Sequence, residues 1–98
     1  FARLIEHSQR TAVAVKGERI IGFARGITDG LSNGYLSMVV VDDQHRRAGI
    51  GRALVEHIMG DNPDITWVLR AGREGAEAFF ASLGFATSVI AMERPRRK

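Results

Sequence analysis

HRRAGIGRALVEH, residues 45–57, places Gly49 and Gly51 between a group of arginines and an apolar run. Ile50, Ala53, Leu54, His57 and Ile58 fall at i, i+3, i+4, i+7 and i+8, one face of a helix. Glycine inside a helix costs about 1 kcal/mol against alanine. Two of them at a helix entrance therefore mark a backbone that bends tightly or is approached closely. The free N–H groups of a first helical turn, at the positive end of the dipole, make a ready anion site that glycines open to a phosphate. Arg46, Arg47 and Arg52 supply the charge.

The flanking sequence alternates strand and helix signals. TAVAV (11–15) and RIIGFARGI (19–27) read as two strands about the turn Lys16-Gly17-Glu18. TDGLSNG (28–34) is turn chemistry, strongest at Asn33-Gly34. YLSMVVV (35–41) is the next strand, and its apolar end predicts burial on both faces. The helix that follows stops at Asp61-Asn62-Pro63-Asp64, and ITWVL (65–69) is a strand again. Strand, helix and strand at this spacing predict a parallel pair joined by a right-handed crossover. Ala76, Phe79, Phe80 and Leu83 mark a second helix face, closed by Gly84 at its C-cap. ATSVIAM (86–92) is expected as a last strand, ARLIEHSQ (2–9) as the tail of a helix, and Arg94–Lys98 as a solvated basic tail.

Composition narrows the class. The 98 residues, 45% hydrophobic and 26% charged, fit one small globular domain spanning 1–98 rather than a disordered or fibrous chain. No apolar run approaches a membrane span and no signal peptide opens the chain, so a soluble cytoplasmic protein is expected. The absence of cysteine excludes disulfides, thiolate metal sites and a cysteine nucleophile, and no metal is expected. The net charge of +3 comes from an arginine-rich set, which reflects either genome composition or bidentate anion contacts. No aromatic–basic interleaving accompanies it, so nucleic acid is not an expected partner. The chain begins at Phe1 rather than methionine, and its N-terminal edge carries no inference.

Neither common phosphate fingerprint fits. A Walker A loop needs lysine where Arg52 stands, and Leu54 occupies the third glycine of G-x-G-x-x-G. What does fit is R-x-x-G-x-G, Arg46 to Gly51, directly after a strand and opening a helix. With the preceding VVVDDQHRR and with AEAFFASLGF (76–85), which is similar to a late A-x-x-x-Y-x-x-x-G-F signature, the chain resembles the GNAT superfamily of N-acetyltransferases over residues 11–92. The resemblance implies an α/β fold with a mixed sheet. An antiparallel hairpin precedes a strand–helix–strand parallel unit, the central strands splay, and the family's N-terminal elements are largely absent.

The resemblance also implies acetyl-CoA as co-substrate. The main chain of Arg46, Arg47, Ala48, Gly49, Ile50, Gly51 and Arg52 would hold its pyrophosphate, and the backbones of Val39 and Val41 would pair with its pantetheine arm. Phe80 would face the cofactor where many members carry a thiolate-protonating tyrosine, and phenylalanine has no proton to give. Arg73 stands where many members have an asparagine, and either reaches a phosphate or is solvated. Tyr35 stands where some members place a glutamate, which leaves His45, Asp29 and Glu74 as candidate general bases. Each has a structural reading beside it: a packed or phosphate-contacting histidine, a turn aspartate, a dipole-complementing glutamate. His57 reads as a core histidine. Two functions follow: an N-acetyltransferase acting on an amine of a small molecule or protein, or a non-catalytic coenzyme-A-binding module. A homodimer is expected, since the sheet lacks a cover.

Overall fold

A computed structural model of the chain describes residues 9–46 and 48–96. Gln9–Lys16 (β1) and Arg19–Thr28 (β2) form an antiparallel hairpin, and Asn33–Val41 (β3) adds a third antiparallel strand. A 3₁₀ turn, Asp43–His45, leads to helix α1, Ile50–Met59. Thr66–Val68 (β4) returns parallel to β3, and Ala76–Ala81 forms helix α2. The sheet order is β1-β2-β3-β4, so α1 is the predicted crossover between the parallel strands. The hairpin turn falls where expected, with Gly17 at φ +63°.

One face of the sheet is stripped of bulk so that α1 can lie on it. A Cβ at Gly22 would stand 3.0 Å from Leu54 Cδ1, and one at Gly26 only 2.6 Å from Ile58 Cγ2. At Gly34 a Cβ would stand 2.6 Å from the Trp67 ring. Ala24, between the first two, is fully buried beneath Leu54, Val55 and Ile58. Each of these three helix side chains contributes roughly 1.5–3 kcal/mol by leaving water. At the far end of α1, Arg10 of β1 donates from Nη1 to the Ile58 carbonyl at 2.9 Å and lies 5.9 Å from the Trp67 ring centre. A cation is thus fixed at the negative end of the helix.

Four expectations are corrected. The buried stripe of α1 runs through Leu54, Val55 and Ile58, while Ala53 and His57 are exposed, so His57 is not a core residue. The helix is rolled because Gly51 lets Phe79 of α2 approach, at 3.0 Å from a Cβ placed there. β3 is not buried on both faces, since Met38 is 43% and Val40 45% exposed. The strand expected over 86–92 is absent, and Val89, Ile90 and Met92 are 96%, 87% and 98% exposed. With side chains of both parities in water, no buried face fixes a register there. Glu74 precedes the Gly75 N-cap of α2, and Glu77 is the acid in its first turn. The helix expected over residues 2–9 lies outside the described residues, apart from Gln9, which opens β1.

Gly84 closes α2 as the spacing predicts. At φ +96° it donates to the Ala81 carbonyl at 3.1 Å, while Phe85 N–H reaches the Phe80 carbonyl at 3.1 Å. The Phe85 and Phe80 rings then meet edge to face at 5.7 Å, the apolar contact that accompanies this stop. For the sheet face, Gly34→Ala is expected to cost about 1–3 kcal/mol by overpacking against Trp67. Gly72→Ala, with open space around it, is expected to be nearly neutral in the same urea unfolding series.

Candidate functional site

The site is set by a β-bulge. β2 and β3 pair Gly26 with Leu36 and Arg25 with Met38, so Ser37 is an extra residue in β3. Before the bulge, the Ser32 carbonyl accepts from Thr66 N–H (2.8 Å) and faces β4, whereas the Asn33 carbonyl accepts from Asp29 N–H (3.2 Å) and faces β2. After it the parity is reversed. Asp42 N–H donates to the Ile21 carbonyl at 2.8 Å on the β2 side, and successive strand residues alternate. Val39 and Val41 therefore direct their backbone groups to the β4 side. Among the described residues no strand follows them there, because the β3–β4 pairing ends at Tyr35 and Val68. The expected splay is thus present, with the two predicted valines facing it.

Beyond Val41 the chain passes through the 3₁₀ turn to the glycines. Gly49 takes φ +80° as N-cap, a conformation that side-chain-bearing residues rarely adopt, and has open space where a Cβ would be. The first helical bond runs from Ala53 N–H to the Gly49 carbonyl, 3.1 Å. Ile50, Gly51 and Arg52 thus have no partner within the helix for their amides, and glycine has no side chain to cap them. The two glycines serve different ends: Gly49 the turn, and Gly51 the approach of Phe79, whose Cζ is its nearest neighbour.

The arginine side chains are more engaged than the sequence implies. Arg46 Nη2 pairs with Asp43 Oδ1 at 2.9 Å, and its Nε donates to the Val41 carbonyl at 3.4 Å. Arg52 Nη2 donates to the Ser82 carbonyl at 3.2 Å, bridging α1 to the end of α2, and its Nη1 stands 3.6 Å from Glu56. Arg47 lies outside the described residues. Phe80 is half-buried, edge to face with Phe79 at 4.9 Å.

The three candidate bases do not converge. His45 Nδ1 is 2.9 Å from Asp42 Oδ2, at the loop end of β3. Glu74 is exposed ahead of α2. Asp29 organises the β2–β3 turn. Its Oδ1 accepts from the backbone N–H groups of Leu31, Ser32 and Asn33 at 2.9–3.1 Å, and its Oδ2 accepts from the Ser32 hydroxyl. Those bonds to the ionised form, the Ser32 amide first, hold its carboxyl well below the usual carboxylate range. Thr28 completes the turn, donating to the Asn33 carbonyl at 2.6 Å and accepting from Gly30 N–H.

A splayed parallel pair leading to a glycine-opened helix is the arrangement the sequence motifs implied, and residues 7–87 match the acetyltransferase (GNAT) domain family. The chain belongs to the GNAT family. Among curated relatives, this GNAT domain is 33% identical over 86 residues to the PanD regulatory factor of Salmonella typhimurium, covering 83% of this chain and 67% of that protein. It is 32% identical over 98 residues to the [ribosomal protein bS18]-alanine N-acetyltransferase of Escherichia coli, covering 85% and 66%. The chain thus spans about two thirds of the length of these relatives. In solved structures it is similar to a GNAT-family protein of Xanthomonas campestris, with TM-score 0.75 and 27% identity over 97% of this chain and 69% of that one. The Escherichia coli ribosomal-protein-S18-alanine N-acetyltransferase matches with TM-score 0.71 and 27% identity over 90% and 59%. Among the described residues no helix is long and apolar enough to cross a membrane.

Sequence reading missed two features of this GNAT domain. The bulge at Ser37 has no composition signal. Arg25 sits inside an apolar strand, and being the one charge interior to RIIGFARGI, whose other arginine, Arg19, opens the strand, is its available signal. For Asp29 the expected outcome is that Asp29→Ala lowers the thermal midpoint more than Asp29→Asn, which keeps an acceptor oxygen. Because the folded carboxyl is held below its unfolded value of about 3.9, its stabilisation is present above that pH and is lost as pH falls toward the folded value. A melting series from pH 7 to 2 on wild type and Asp29→Asn checks the sign.

Proposed function

We propose that this domain is an acetyl-CoA-dependent N-acetyltransferase, transferring an acetyl group to an amine of a small molecule or protein by direct attack. The observation that carries the reading is the splay itself. Among the described residues Val39 and Val41 present backbone groups with no strand partner, the Val41 carbonyl meeting only Arg46 Nε at 3.4 Å, and such groups require one. A cofactor arm bearing amides suits that edge, and the uncapped amides of Gly49 to Arg52 suit a pyrophosphate. With Arg46 and Ala48, these residues form the proposed cofactor cradle.

Acetyl-CoA supplies an activated thioester. The acceptor's nitrogen forms a bond to the acetyl carbon, the carbon–sulfur bond breaks, and the amine's proton is balanced by formation of the free thiol. A backbone N–H of β3 at the apex is the proposed oxyanion donor. Phe80 would stand beside the leaving sulfur, without a proton to offer. A thiolate is a tolerable leaving group near neutral pH, so the missing acid slows transfer without preventing it. His45 lies eight residues past Ser37, in the 3₁₀ turn beyond the four strand residues Met38–Val41, which themselves span roughly 13 Å, and that suits the pyrophosphate end better than the thioester end. With the base unassigned, weakly basic amines are the favoured acceptors.

One further observation favours a second reading, a non-catalytic coenzyme-A-binding module. Phe80 replaces the family's acid, and a relative at 33% identity is named as a regulatory factor rather than a transferase. The homodimer remains a proposal: β1 is an edge strand carrying exposed Val13 and Val15, and a monomer by light scattering at micromolar concentration contradicts it.

Calorimetric titration with acetyl-CoA, with coenzyme A and dephospho-coenzyme A as controls, is expected to show saturable micromolar binding. Gly49→Glu is expected to abolish it, while Gly49→Ala, which carries the backbone strain without the charge, weakens it less. Unchanged affinity in Gly49→Glu refutes the cradle. Phe80→Tyr is expected to raise turnover on a panel of amines by about 10²-fold. Binding without turnover in either protein decides for the module.

A further inference from the structure

The sheet face turned away from α1 is apolar. Val13, Ile27, Tyr35, Met38, Val40 and Val68 are all more than a third exposed on it. Arg25 interrupts this surface. Its cross-strand partners are Thr11 and Met38, and its neighbours along β2 on the same face are Phe23 and Ile27, so no acid faces it across the strands. Among the described residues its guanidinium forms no ion pair. The nearest acid along its strand, Asp29, is committed to the turn amides. Arg25 is nonetheless fixed in place. Its Nε donates to Ser37 Oγ at 3.1 Å, and the Ser37 hydroxyl donates back to the Arg25 carbonyl at 3.2 Å. This reciprocal pair aims the guanidinium from the bulge, beside the point where β3 and β4 part.

Access favours the same face. On the other side of the sheet the apex is covered by Trp67 and Ile58, packed over Gly34 and Gly26. Among the described residues nothing covers the opposite face at this point, so an acceptor can approach across it. There a solvent-open depression of about 480 Å³, lined in part by Ile27, Tyr35 and Val68, begins one same-face residue from Arg25. We infer that Arg25 is a specificity-determining residue that receives a carboxylate of the acceptor, whose apolar body lies over Ile27, Tyr35 and Val68 while its amine reaches the splay. A guanidinium held through Nε keeps its two Nη groups for a carboxylate's two oxygens, a geometry lysine does not reproduce. The inference rests on the acetyltransferase reading and adds the acceptor class to it.

The test pairs acceptors that carry a weakly basic α-amine and differ in charge alone: dipeptides ending in a free carboxylate against their C-terminal amides. Acceptor affinity is measured by calorimetry on the protein saturated with coenzyme A, and KM is measured wherever turnover occurs. The acids are expected to bind at least about tenfold more tightly than the amides, with a preference that shrinks as salt is added. In Arg25→Gln the acid-to-amide ratio falls to near one while acetyl-CoA affinity persists, and in Arg25→Lys it is intermediate. Should Arg25→Gln not fold, Arg25→Lys and the wild-type salt dependence decide. Equal binding of acids and amides, or a preference that survives in Arg25→Gln, overturns this inference and leaves the acetyltransferase reading standing. Failure of acetyl-CoA itself to bind overturns both.

Discussion

A single extra residue in β3 governs the rest of the domain. Were Ser37 paired in the ladder instead of bulged out of it, residue parity would persist along the strand, and the backbone groups of Val39 and Val41 would turn toward β2. The bulge reverses that parity midway. It does so between Leu36, which is buried under α1, and Met38, which faces water. One local irregularity thus separates a half of β3 that holds the sheet together from a half that is open to a ligand. It also brings Arg25 and Ser37 into their reciprocal pair.

Packing then locks this strand in place. The sheet can tolerate α1 only because Gly22, Ala24 and Gly26 leave no side-chain bulk beneath it, and Gly34 does the same for Trp67. The same glycines would weaken an isolated strand, since they add entropy to the unfolded chain and bury nothing themselves. The gain comes from Leu54, Val55, Ile58 and Trp67, which settle onto the backbone. At the other end of β2 the Asp29 turn sets where β3 starts, and therefore which residue becomes the bulge.

Much of this was legible in the residues, and the remainder was not for identifiable reasons. Alternation and turn chemistry located β1, β2 and β3, and the glycine-opened helix predicted the crossover to β4. The roll of α1 was missed because helical spacing alone cannot weigh Gly51, whose missing side chain draws Phe79 onto the first turn. ATSVIAM carries strand-forming residues, but propensity is expressed only when one face finds a partner. The arginines near the loop were read as charge for an anion. Of these, Arg46 and Arg52 also serve as struts, to Asp43 and to the Ser82 carbonyl. Hydrogen-bond partners of that kind are tertiary facts, invisible to a linear motif.

Arg10 has a kinetic meaning as well as a structural one. It sits at the edge of the sheet, yet its hydrogen bond to Ile58 closes a loop of 48 residues. The Ile58 carbonyl at the end of α1 is therefore covered only when β1 is docked. Such a long-range closure raises the mean sequence separation of native contacts, which slows folding. It also couples the first strand of the domain to the last turn of the crossover helix, so that fraying at one is felt at the other.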